Sequence, residues 1–188
     1  MDNYGVSSVI GVVLMAGVVV ILASVLGVFA LGTAENINDP TPIVGQTSGE
    51  FEPGSNSDQQ IVRITHVAGD SVNVENMEII VRASGPGDNL PTEARLVDLP
   101  AEGQFMTDNI DGNADLIDSR TRTADIIEDD SSNTWSAGKT IEFRVGVGEA
   151  DFRTLVPDYN EDNEADELEV IIVHTPSNSI ISEYTFTL

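Results

Sequence analysis

Val6–Leu31 reads VSSVIGVVLMAGVVVILASVLGVFAL, 26 residues without a charge, inside an uncharged run from Asn3 to Ala34. As a helix it would reach about 39 Å, enough to cross a hydrocarbon layer of about 30 Å with some tilt. Eleven of the 26 are Val or Ile, which in water favour strand. In lipid a lone segment satisfies its backbone groups only as a helix, so the medium overrides β-branched propensity. The stretch therefore predicts one long apolar helix over residues 6–32, with Gly32-Thr33 as its stop signal.

Four explanations compete for such a helix. A secretory signal has a basic n-region and an apolar core of about 7–15 residues. Here residues 1–5 are Met-Asp-Asn-Tyr-Gly and the apolar run is longer. A buried core helix would need cover on every face, and the rest of the chain reads as strands. A single-pass anchor and a helix that packs against copies of itself remain. Ser7 with Gly11, and Ala23 with Gly27, are small-xxx-small pairs that let helix backbones approach closely.

The order Val6-Ser7-Ser8-Val9-Ile10-Gly11-Val12-Val13-Leu14-Met15, followed by the Val/Ile/Ala-rich run to Gly32, resembles the N-terminal segment of archaeal type IV pilins, particularly the haloarchaeal ones. Ser8 stands where that family usually has Pro. Asp2 is the only charge ahead of the helix, where the family usually carries basic residues. The resemblance implies cleavage by a prepilin peptidase, between Gly5 and Val6. It also implies polymerisation with identical subunits, helped by an assembly ATPase and a membrane platform protein. Helix packing would then fall to Val6, Ser7, Val9, Ile10, Gly11, Met15, Ala16, Gly17, Ala23 and Gly27. The expected location is the archaeal cell surface, as an extracellular filament that is membrane-inserted before assembly. An archaellin, the related motility subunit, is the neighbouring possibility, and its signature differs more from Val6–Met15.

Of the 32 acidic residues only Asp2 precedes Glu35, whereas all eight bases follow it, so the remainder carries a net charge of −23. Lys139 is the sole lysine. Such a surface repels nucleic acid. High charge with modest hydrophobicity often means disorder, but the alternating segments described next argue for a folded domain adapted to high salt, where screening shortens to about 3 Å at 1 M. There is no cysteine and no Asn-x-Ser/Thr sequon, which excludes disulfides, thiol catalysis and cysteine-ligated metals.

The expected layout has four parts: 1–5 a short leader or helix lead-in, 6–32 the helix, 33–58 a linker rich in Pro and Gly, and 59–188 an acidic head. Within 33–58, only Thr41–Gln46 suggests an extended piece. In Gln60–Val67, Val62, Ile64 and His66 share a face; in the next run Met77, Ile79, Val81 and Ala83 do. His66-x-x-Gly69-Asp70 resembles the turn of a first hairpin in haloarchaeal pilin heads. Ala94–Leu99 reads as a short strand, and Gln104–Ser132 shows no period. Ile141, Phe143, Val145 and Val147 alternate with Glu142 and Arg144, and Leu168–Thr175 with Ile180–Leu188 forms a hairpin through Thr175–Asn178. The fold class expected is α+β: a long N-terminal apolar α-helix followed by an antiparallel β-sandwich head domain.

Chemistry is sparse. His66 and His174 fall on apolar strand faces, where a packed structural histidine is the ordinary reading. Neither a nucleophile elbow nor a phosphate loop with a lysine occurs, so the chain is not expected to be an enzyme or to need a cofactor. One acidic loop has calcium-loop spacing: Asp158, Asn160 and Asp162 at positions 1, 3 and 5, and Glu169 at position 12. Against Ca²⁺ binding, Leu168–Val173 reads as a strand that would carry Glu169 away. The runner-up reading of the whole is a membrane-anchored haloarchaeal surface protein that does not polymerise.

Overall fold

The computed structural model describes residues 4–34, 41–55, 60–99, 105–128, 133–153 and 160–188. The chain divides into two compact units, Met1–Asp39 and Pro40–Leu188. The first is one helix, α1, Tyr4–Ala34.

The second unit is built from antiparallel strands. Its first sheet orders β1 (Val44–Glu52), β2 (Ile61–Gly69) and β8 (Thr140–Arg144) side by side. The second orders β10 (Ser179–Thr187), β9 (Glu167–His174), β4 (Met77–Ser84), β5 (Thr92–Leu96) and β6 (Ile110–Gly112). A short ribbon pairs β3 (Val72–Asn73) with β7 (Thr134–Trp135). Inward residues of both main sheets share one buried core: Val62, Ile64, Ile141 and Phe143 from the first, and Ile79, Val81, Leu96, Val170 and Ile172 from the second. The α+β class and the two-layered antiparallel head are as the alternation predicts.

Cross-strand register explains the outer faces. Arg63 lies opposite Glu50 and Glu142 and bonds Glu52 at 2.7 Å and Glu142 at 2.9 Å. The hydrogen bond donated to Glu52 outweighs partial burial and, with Glu142, holds the Arg63 guanidinium above its ordinary value. Arg82 on the other sheet bridges Glu93 at 2.6 Å and Glu169 at 2.9 Å, and is raised for the same reason. Arg95 pairs with Glu78. Arg63, Arg82 and Arg95 thus each pair with acids on adjacent strands.

Three expectations need correction. The predicted linker 33–58 contains a full strand, β1, which pairs with β2 from Val44↔Gly69 to Glu52↔Ile61, and the head unit begins at Pro40 instead of residue 59. Gly45 and Gly49 hid it, because glycine in a strand signals a close approach of another group as readily as a break. That approach is real at Gly49, which lies beneath the ring of Tyr184. Second, β2 and β4 do not form a hairpin; they belong to different sheets, since β3 and a 3₁₀ turn at Val74–Asn76 carry the chain across. Third, β8 stops at Arg144. Val145 is buried through a single bridge to Ile117, and Val147 sits in a turn, only half-buried.

The aperiodic stretch resolves into short 3₁₀ turns at Thr107–Asn109, Ala114–Leu116 and Thr121–Thr123. Five of the apolar residues there plug the core, Phe105, Leu116, Ile117, Ile126 and Ile127, whereas Met106 is exposed. Several buried polar groups are paired inside the unit, while His66 Nδ1 is buried without a hydrogen-bond partner among the described residues. The Gln60 amide donates to Ala150 O at 2.8 Å and accepts from Phe152 N at 2.7 Å. Asp151 takes two side-chain hydrogen bonds from Arg153, at 2.9 and 2.7 Å, with both side chains almost fully buried.

Candidate assembly segment and head chemistry

α1 has 31 residues, about 46 Å of helix, and no charge in its first or last turn. Every described side chain from Val9 to Gly27 is exposed, Met15 at 73% and Val12 at 70% among them. The segment passes, by length and composition, as a membrane span. It is apolar round its circumference, which in a stable protein means cover on all sides by lipid or by other helices. Ser24 donates to Val20 O at 2.7 Å, the usual way a hydroxyl is satisfied within an apolar helix.

The predicted packing residues divide over that circumference. At 100° per residue, Ala16, Ala23 and Gly27 fall within about 40° of one another, and Ser7 and Gly11 within about 40° on the opposite side. Gly17 lies between them. Gly11, Gly17 and Gly27 have no atom within 4 Å of a would-be Cβ, so nothing in the single chain demands glycine there. Val9, Ile10 and Met15 are exposed. Gly5, Val6 and Ser7 are helical in backbone. Residues 1–3 of the expected leader lie outside the described residues.

The acidic loop does not assemble as calcium-loop spacing suggests. Asp158 lies outside the described residues. Asn160 caps a 3₁₀ turn, Glu161–Asn163, accepting from Asp162 N at 3.2 Å. Asn163 is buried, donating to Gly148 O at 2.8 Å and accepting from Asn89 at 2.6 Å. Glu169 stands in β9 on Arg82. The strand has carried it off, as the alternation of Leu168–Val173 indicated. Among the described residues no three His, Asp or Glu side chains gather as a metal site.

Both histidines are packed. His66 Nε2 lies 3.0 Å from Asp70 O, and its ring meets Trp135 edge-on at 5.0 Å. His174 Nδ1 lies 2.7 Å from Ser177 Oγ in the β9–β10 turn. A cleft of about 780 Å³ beside β8 mixes Arg120 and Arg144 with Asp125, Glu128 and Glu142. Sequence reasoning missed the Gln60 and Asp151–Arg153 networks. Their only signal was polar residues next to strand ends, which any turn also shows.

Residues 4–45 match the archaeal type IV pilin N-terminal family, a structural family without catalytic role. The match spans α1 and the first residue pair of β1. An uncharacterized protein of Archaeoglobus fulgidus is 35% identical over 81 residues, 43% of this chain and 54% of the relative. The chain thus spans about half the length of that relative. An exposed, uncharged N-terminal helix ahead of an acidic antiparallel head, matched to this family over residues 4–45, makes the chain pilin-like, with an N-terminal segment similar to that of archaeal type IV pilins.

Proposed function

We propose that the protein is a subunit of an archaeal type IV pilus, polymerising through α1 into a surface filament used for adhesion or biofilm formation. The observation that carries this reading is the helix: apolar all round, exposed in the single chain, and matched to the pilin N-terminal family. Before assembly it would hold the subunit in the membrane. After assembly, helices of neighbouring copies would replace the lipid. Small residues on more than one side of the helix suit a core in which each helix has several neighbours, where a two-helix dimer would need one side only. Identical head-to-tail contacts that do not close produce a helical filament. The peptidase, ATPase and platform protein follow from the family, and the acid-rich head from life in concentrated salt.

Mass spectrometry of the N-terminal peptide in the fraction sheared from cells tests this. Recovery of filaments whose subunits begin at or near Val6 supports it. An intact leader, found only in detergent-extracted membrane, would leave the non-polymerising anchor.

A further inference from the structure

Charge is sorted along the head. Thr41–Gly49, Ile64–Gly69 and Val170–Ser182 contain no Asp, Glu, Lys or Arg. The fold brings the three together at one end: Val44 pairs with Gly69, Ser179 with His174, and Thr41 Oγ1 donates to Ser179 Oγ at 3.0 Å. At the other end of the same strands, Asp88, Glu149, Glu161, Asp162, Glu164 and Asp166 crowd into loops tied by hydrogen bonds such as Gly87 N to Glu164 O and Asn89 N to Asp162 O. The uncharged end displays Ile43 at 74% exposure, Ile180 at 58% and Val67 at 44%. Two acids border this end: Asp70, whose carboxylate accepts from Ile43 N at 3.0 Å, and exposed Glu75 in the 3₁₀ turn whose Asn76 O accepts from Thr175 N at 3.0 Å.

We infer that this end of the head, where β1 and β10 begin, is the face that packs against a neighbouring copy of the chain. The inference rests on the pilus reading. Two identical heads of net charge −23 repel wherever carboxylates meet, and like-charge juxtaposition is a strong bar to association. Salt screens the long-range part of that repulsion but not the cost of burying unpaired carboxylates in a contact. A charge-poor surface is therefore the favoured one, and these three segments supply it together with exposed aliphatic side chains. A lipid surface fits worse. Interfacial anchoring favours exposed Trp, Tyr, Lys and Arg, whereas here Trp135 is buried and Lys139 and Tyr184 are half-buried.

Because the chain has no cysteine, single thiols placed by Ile43→Cys, Ile180→Cys or Asp88→Cys report cleanly. Maleimide labelling would be timed on cells bearing filaments and on the same full-length protein dispersed in detergent at equal salt. The first two variants should label about tenfold more slowly on filaments, as expected in a water-excluding interface, and Asp88→Cys at about the same rate in both. Filaments that form while Ile43→Cys and Ile180→Cys label freely overturn the interface alone. Free labelling without filaments overturns the interface and the pilus reading together. Protection confined to membranes without filaments assigns the surface to lipid and overturns the second copy. As a check independent of labelling, Ile180→Asp should cut filament yield about tenfold with head melting unchanged, and Thr185→Asp on the same strand should not.

Discussion

The ring of Tyr184 in β10 lies on Gly49 in β1, so close that a Cβ on Gly49 would stand 2.6 Å from Tyr184 Cδ1. Its hydroxyl reaches Thr47 Oγ1 at 2.9 Å, and Thr47 also bonds Ser182 at 3.0 Å. Tyr184 stacks on Phe186, and Phe186 and Phe152 both contact Phe51. The edge strands of the two sheets are therefore joined by side chains instead of a backbone ladder. The strand that follows the helix in sequence closes the sandwich.

Gly49→Val should force Tyr184 off this seat and destabilise the head by about 1–3 kcal/mol, the usual cost of overpacking. Tyr184→Phe should cost about 1 kcal/mol, the worth of one hydrogen bond. Denaturant unfolding in concentrated salt reads both. A Gly49→Val head as stable as the parent would show that β1 does not close the sandwich in this way.

Asp151→Ala should cost about 3–5 kcal/mol, because it leaves the Arg153 guanidinium buried without its carboxylate. Half-buried Glu169→Gln, whose ion pair with Arg82 is still partly wet, should cost under about 1 kcal/mol. The second variant also addresses calcium. Its effect should be equal with and without Ca²⁺, and a Ca²⁺-dependent stabilisation lost in Glu169→Gln would restore the metal reading.

Gly11→Leu and Gly27→Leu should leave head unfolding unchanged while lowering filament yield about tenfold, since bulk at a close helix contact blocks backbone approach. Electron microscopy of sheared material with quantitative blotting measures the yield. Normal filaments from both variants would rule out close packing at these two positions.

Salt should matter more than for an ordinary domain. With 31 acids against eight bases from Glu35 onward, lowering KCl from about 3 M to about 0.1 M lengthens screening from under about 3 Å to about 10 Å and restores self-repulsion. The melting temperature should fall steeply over that range. A flat profile would remove the high-salt reading.

Much of this was readable in residue order. Period-two runs such as Val62-x-Ile64-x-His66 and Met77-x-Ile79-x-Val81 each bury one face, because a strand with one wet side must alternate. Thr175–Asn178 turned where its residues allow, with Asn178 at φ 51°. What stayed illegible had no period: Ile117 and Ile127 enter the core through single bridges to Val145 and Ile141, and one bridge leaves no pattern along a chain. β1 was concealed because its spacing is set by a ring 135 residues away in sequence.

Residue order alone specifies the helix, since a charge-free run of this length has one backbone solution in lipid and needs no tertiary partner. It also determined the acidity of the head and most strand faces, which are local consequences of composition and alternation. Folding in three dimensions sets which strands pair, that Val44–Glu52 belongs to the head, that Glu169 serves Arg82, and that uncharged segments gather at one end. Those are outcomes of register between residues distant in sequence, where the energy of a contact depends on both partners at once.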